Sequence, residues 1–221
     1  MMRVRRSGCL AVKYAPWMAK TPARAGSRYA KILQSGAELF YERGFAAVGV
    51  DEIGERAGVT GPAIYRHFNG KDEILATLFD DAIDRLVETT AGEFDDPREE
   101  LTALVRGHAQ FVLDERRLAG VKIREERSLA EPYNKRLRRR ERRYVDRWID
   151  CVRRCYPDQD HDELLTATHA AIGMLNSIAM WPREALRADG LADVIVAQVL
   201  NGFSAFDETA GRTLAETRST S

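Results

Sequence analysis

The chain has 221 residues, with 34 basic against 34 acidic side chains and a formal net charge of +0. A balance of that kind excludes a general polyanion binder, and 44% hydrophobic with 31% charged residues excludes a disordered or fibrous chain. The longest apolar run, 167–180, is interrupted by Thr168, His169, Asn176 and Ser177, so no membrane span or membrane partner is expected.

The charge is unevenly spread. Residues 1–31 carry Arg3, Arg5, Arg6, Lys13, Lys20, Arg24, Arg28 and Lys31 with no acidic residue, and 1–26 reads as a disordered basic arm suited to a phosphate backbone. Met18 stands as an alternative start to Met1. Three cysteines (Cys9, Cys151 and Cys155) make no disulfide framework, which points to a reducing, cytoplasmic compartment.

From residue 27 onward the apolar period is helical throughout, so the fold class expected is all-α, with about nine helices. A first helix over 27–43 buries Ile32, Leu33, Leu39 and Phe40 and stops at Gly44. A second over 50–57 places Val50, Ile53 and Ala57 on one face and ends at Gly58. Thr60 is a good N-cap and Pro62 a good first-turn residue for a third helix over 61–68, whose Ile64 and Phe68 point inward. Asn69 and Gly70 break it, and a fourth helix over 71–91 is long enough to link two units. Further helices are expected over 97–114, 117–129, 133–156, 160–180 and 191–206, followed by a polar tail over 207–221. The domain division is therefore a small three-helix unit over 27–70 and a larger helical unit over 71–206.

The second and third helices with the tight turn between them form a helix-turn-helix, the unit that lays a helix in the major groove of DNA. An ordinary helical hairpin is the alternative at this point. The particular residues narrow the choice. Gly36-Ala37-Glu38-Leu39-Phe40, Arg43-Gly44-Phe45, the run 50–57, Gly58-Val59-Thr60, Ile64-Tyr65-Arg66-His67-Phe68 and the run 71–75 together resemble the TetR family of bacterial transcriptional regulators. That resemblance implies a homodimeric all-helical repressor whose N-terminal helices bind a palindromic double-stranded DNA operator and whose C-terminal helices bind a small effector and a second subunit. It implies that Thr60, Ala63, Tyr65 and His67 touch bases or phosphates, that Lys71 meets a backbone phosphate, and that Gly49 and Val50 offer backbone N–H groups to another. Gly61 belongs to the same set but departs from the basic residue or Ser common there. Tyr65 as a core residue and His67 as a cap against Asn69 remain open alternatives.

In the larger unit an effector pocket is expected between the fifth, seventh and eighth helices, lined by Leu104, His108, Phe111, Trp148, Cys151, His169, Gly173, Asn176 and Ser177. His108 and His169 read as satisfied core residues sooner than as ligands, and Cys151 with Cys155 as ordinary packing or a thiol sensor. No residue spacing fits a metal site, and no cofactor is expected. The basic run 135–143 with Arg124 reads as a solvated face or as an anion site formed by Arg124, Arg136, Arg139, Arg140 and Arg143. In the second form it resembles family members that sense fatty-acid or acyl-coenzyme A derivatives. The eighth helix is apolar on more than one side, so Ala171, Leu175, Ile178, Val194, Ile195, Val199 and Phe203 are expected to meet a second copy of the chain.

No nucleophile elbow, phosphate-binding glycine loop, zinc signature or paired-carboxylate motif is present, so the chain does not read as an enzyme. The sequence supports a repressor released by a small apolar effector. The alternative is a DNA-binding adaptor or architectural protein without an effector.

Overall fold

The computed structural model describes residues 27–219; the basic arm and Cys9 lie outside the described residues. Nine α-helices and three short 3₁₀ turns make up the described chain, with no strand among them. None of the helices there is long and apolar enough to cross a membrane.

Helix α1 (Arg28–Arg43) opens on Ser27, whose Oγ accepts from the Ala30 N–H at 3.2 Å, and closes at Gly44 with φ of 80°. Helix α2 (Val50–Ala57) ends at Gly58, whose φ of 67° is the left-handed conformation that a side chain resists. Helix α3 (Gly61–Ile64) is shorter than its sequence predicts: residues 65–67 form a turn in which the N–H groups of His67 and Phe68 both donate to the Ile64 carbonyl, at 2.8 and 2.9 Å. Gly and Pro in its first turn give little helical persistence, and Phe68 is still delivered to the core. Helix α4 (Lys71–Thr89) follows directly.

Helices α5 (Pro97–Asp114), α6 (Arg116–Glu125), α7 (Tyr133–Cys155), α8 (His161–Ser177) and α9 (Leu191–Ser219) complete the fold. Asp96 and Asp160 cap α5 and α8 by accepting from the N–H groups of Arg98 and Asp162, each at 2.8 Å. Helix α6 is shorter than predicted because 126–128 tighten into a 3₁₀ turn, whereas α9 continues past its predicted end at 206.

One continuous apolar core joins the two units. Ile32, Ile53, Ile64, Phe68 and Ile74 fill its N-terminal part, and Phe79, Trp148, Leu175 and Phe203 its C-terminal part. Helix α4 runs through both. A Cβ added at Gly36 would stand 2.8 Å from Ile74 Cγ2, so α1 and α4 touch almost backbone to side chain. Farther along, Asp80 of α4 pairs with Arg136 at 2.5 Å and Arg140 at 2.8 Å of α7, and Arg85 pairs with Glu115 at 2.5 Å.

Candidate DNA-reading face and effector cavity

The helix-turn-helix presents a face of exposed residues. Thr60 stands at the N-terminal boundary of α3 without a side-chain capping hydrogen bond and is exposed, Gly49 stands at that of α2 and is exposed, and Val50 and Ala63 are half-buried beside them. Tyr65 is 58% exposed, so it is not a core residue. His67 is exposed and meets the Tyr29 ring edge-on at 6.2 Å, while Asn69 turns instead to the Glu73 carboxylate at 2.7 Å. A Cβ at Gly61 would stand 2.9 Å from Asp51 Oδ1, the end of an exposed side chain that can turn aside, so the packing there does not require glycine.

The charges on this unit divide in two. Arg43 pairs with Glu52, and Arg56 pairs with Glu42 at 3.0 Å, so these cations lace α1 to α2. Arg28, Lys31 and Arg66 are exposed with no ion pair among the described residues and stay available to phosphate. Lys71 is placed differently from a free phosphate ligand. Its Nζ donates to the carbonyl oxygens of Phe45 at 2.9 Å, Val48 at 3.0 Å and Ala46 at 3.4 Å, and lies 4.4 Å from the Phe45 ring centroid. An ammonium has three N–H donors, and here all three tie down the loop before α2.

In the larger unit a cavity of about 370 Å³ opens between α4, α5, α6, α7 and α8. Of the nine residues predicted to line a pocket, His108, Phe111 and Asn176 do so. Leu104, Trp148 and Cys151 are buried in the core behind it, and Cys151 Sγ donates to the Pro97 carbonyl at 3.4 Å. His169, Gly173 and Ser177 lie on the exposed side of α8, with His169 Nδ1 2.9 Å from the Leu165 carbonyl. Two walls are absent from the expected lining: Ala82, Ile83 and Leu86 of α4, and Leu118, Ala119, Lys122 and Ile123 of α6. The available signal was Lys122, a cation in the inward stripe of α6, four residues from Glu126.

Polar groups of the cavity form two sets. His108 Nδ1 lies 3.1 Å from Tyr144 Oη and its Nε2 lies 3.0 Å from Asn176 Oδ1. Burial pushes the imidazole down to about 4, against the opposing hydrogen bond to Asn176, so the ring is neutral at neutral pH. Burial likewise raises the Tyr144 hydroxyl, which stays protonated. In the second set Lys122 Nζ pairs with Glu126 at 3.0 Å and with Glu141. Burial alone would lower the lysine, but Glu141 and Glu126 more than offset it and its pKa is raised.

The opposite side of α6 braces α1. Arg117 and Arg124 stand 5.4 and 5.2 Å from the Tyr41 ring centroid, and Arg124 donates to the Tyr41 carbonyl at 3.0 Å. Arg116 holds the turn after α8 by donating to the carbonyls of Ile178 and Trp181 at 3.3 and 2.6 Å.

The five arginines predicted as an anion site do not converge. Arg124 serves Tyr41, Arg136 and Arg140 are committed to Asp80 and Asp84 of α4, and Arg139 and Arg143 point to solvent. The α7 face that carries Arg136 and Arg140 turns to α4 because acidic partners wait there.

The residues predicted for a subunit interface are mostly used within the protomer. Leu175, Ile178, Ile195, Val199, Phe203 and Ala171 are buried in its own core, and Val194 is 54% exposed. Between α8 and α9 runs a shallow apolar groove of about 170 Å³, with Ala171, Val199 and Phe203 among its lining and Ala170, Met174 and Gly202 exposed along it.

Comparison with known proteins agrees with this geometry. Residues 32–78 match the profile described as "Bacterial regulatory proteins, tetR family", and residues 94–203 match "Tetracyclin repressor-like, C-terminal domain". The HTH-type transcriptional activator FasR of Mycolicibacterium smegmatis is 34% identical over 88 residues, covering 38% of this chain and 40% of that protein. The HTH-type transcriptional repressor KstR2 of the same species is 33% identical over 106 residues, 47% of this chain and 51% of the relative. The chain thus matches about half or less of the length of these curated relatives. Among solved structures, AibR in complex with isovaleryl coenzyme A and operator DNA superposes with a TM-score of 0.68 at 20% identity, over 78% of this chain and 97% of that one.

Proposed function

The chain belongs to the TetR family, a family of DNA-binding transcriptional regulators rather than enzymes, and from that premise we propose that it is a homodimeric repressor released from a palindromic operator by a small apolar effector. Residues 27–70 read the DNA in the cytoplasm, and residues 71–206 bind the effector and the second subunit. Thr60, Ala63, Tyr65 and His67 face the groove, with Gly49, Val50 and Gly61 close to the phosphates. Arg28, Lys31 and Arg66 supply the free positive charge.

One observation carries the effector reading: the cavity is walled by the same two helices that position the DNA-binding unit. Helix α4 begins at the helix-turn-helix and contributes Ala82, Ile83 and Leu86, while α6 contributes Leu118, Ala119 and Lys122 and braces Tyr41 of α1 through its other side. A ligand that fits better when α4 and α6 shift moves the recognition helix with them. It lowers operator affinity by as much as its affinities for the two arrangements differ. The volume lies at the small end for ligand sites and the lining is mostly aliphatic, which supports an acyl-type ligand, a fatty-acid or acyl-coenzyme A derivative. The isovaleryl coenzyme A named for AibR supports the same class.

The second subunit sits on the α8–α9 groove, where Met174 is a large apolar side chain open to solvent. The test is fluorescence anisotropy of the purified protein on DNA from upstream of its own gene, with competitor DNA present. Saturable binding at an even number of protomers per site, reversed by an acyl ligand, is the expected result. Binding no tighter than to scrambled DNA, or binding that no member of an acyl panel reverses, overturns the reading.

A further inference from the structure

We propose that the cavity selects an uncharged, carbonyl-bearing apolar ligand, such as a ketone, ester or thioester, and discriminates against the matching free carboxylate. This rests on the cavity being the effector site and concerns which chemistry that site accepts.

The hydrogen-bond chain at one wall has a direction. A neutral imidazole carries one donor and one acceptor. Asn176 Oδ1 only accepts, so His108 Nε2 donates to it, and Nδ1 then accepts from the Tyr144 hydroxyl. The chain ends at the Asn176 amide nitrogen. Asn176 lines the cavity and is exposed, and its two N–H donors have no partner among the described residues. What this wall offers a ligand is therefore a neutral donor, suited to an acceptor oxygen.

The ionic groups of the lining decide between a neutral oxygen and an anionic one. They are Lys122, Glu126 and Glu141, one positive charge against two negative. Lys122 is held by both carboxylates, so its charge is already more than matched. Arg85 and Arg140, on neighbouring faces of α4 and α7, are committed to Glu115 and to Asp80 and Asp84. A ligand carboxylate would leave water for a site with net negative charge and, among the described residues, no uncommitted cation in its lining, where desolvation and repulsion act together. A carbonyl keeps the hydrogen bond to Asn176 without either penalty.

Calorimetric titration of the full chain with 2-decanone and with sodium decanoate at neutral pH tests the assignment, since the two share a chain length. The ketone is expected to bind at least about tenfold more tightly. Asn176→Leu is expected to reduce that preference, and Glu126→Gln, which leaves one charge of each sign, to narrow it by strengthening decanoate. Ile172→Trp and Ala119→Phe, which fill the cavity from two walls, locate the binding. Decanoate binding as tightly as the ketone, and lost in the filled variants, overturns the ligand class while leaving the cavity as effector site. No binding by either compound, or binding that both filled variants retain, overturns both.

Discussion

His108 offers a quantitative check on the interior of the larger unit. It is 1% exposed, and burial holds its imidazole at about 4 in the fold against 6.5 for the ordinary side chain. The folded state therefore resists protonation more than the unfolded state does. The stability this brings is fully present above 6.5 and is lost as pH falls from there toward about 4. Between about pH 7.5 and pH 5 the linkage relation gives a loss of about 2 kcal/mol from this one side chain. His108→Gln removes the titrating group and keeps a polar side chain beside Tyr144 and Asn176. The assay is urea denaturation followed by far-UV circular dichroism, at both pH values and one protein concentration, for the two proteins. The quantity compared is the change with pH, so any fixed cost of the substitution cancels. Glu115 works in the opposite direction, because burial raises its carboxyl, but it is common to both proteins. Wild type is expected to lose about 2 kcal/mol more than the variant on acidification. An equal loss in the two proteins would refute the view that the ring is a buried neutral group.

Other substitutions probe the remaining parts. Tyr65→Ala is expected to weaken operator binding about tenfold or more with the dimer intact; unchanged operator affinity in the anisotropy assay would remove Tyr65 from the reading face. Lys71→Met leaves the carbonyls of Phe45, Ala46 and Val48 without their cation and is expected to destabilise the protein by about 2 kcal/mol in the absence of DNA. Full stability in urea with weakened DNA binding would show the lysine to be a phosphate ligand instead. At Gly107 a Cβ would stand 2.5 Å from the Thr89 carbonyl oxygen, so Gly107→Ala should cost about 3 kcal/mol by the same measurement. Met174→Asp places a charge in the α8–α9 groove and should convert the dimer to monomer in light scattering; an unaltered dimer would place the interface elsewhere.

The helices and the helix-turn-helix were legible in the sequence because their causes are local. Gly58 ends α2 through its own left-handed backbone, and period alone shows that Ile53, Ile64 and Phe68 point inward, whereas the Asp96 and Asp160 caps were found only in the structure. The family signature is equally local, lying in residues 32–78. Tertiary structure decided what each inward face meets. An apolar stripe on α8 reads the same whether it covers the protomer's own core or a second subunit, and packing within the protomer assigned Leu175 of α8 and Phe203 of α9 to the former. Lys71 and the arginines of α7 have the composition of anion ligands, yet carbonyls 23 to 26 residues away and carboxylates 56 to 60 residues away claim Lys71, Arg136 and Arg140 first. The cavity belongs to no single helix. It is the space left where five helices diverge, and its two decisive features, a neutral histidine and a second glutamate, Glu141, on Lys122, arise only when residues distant in sequence are taken out of water together.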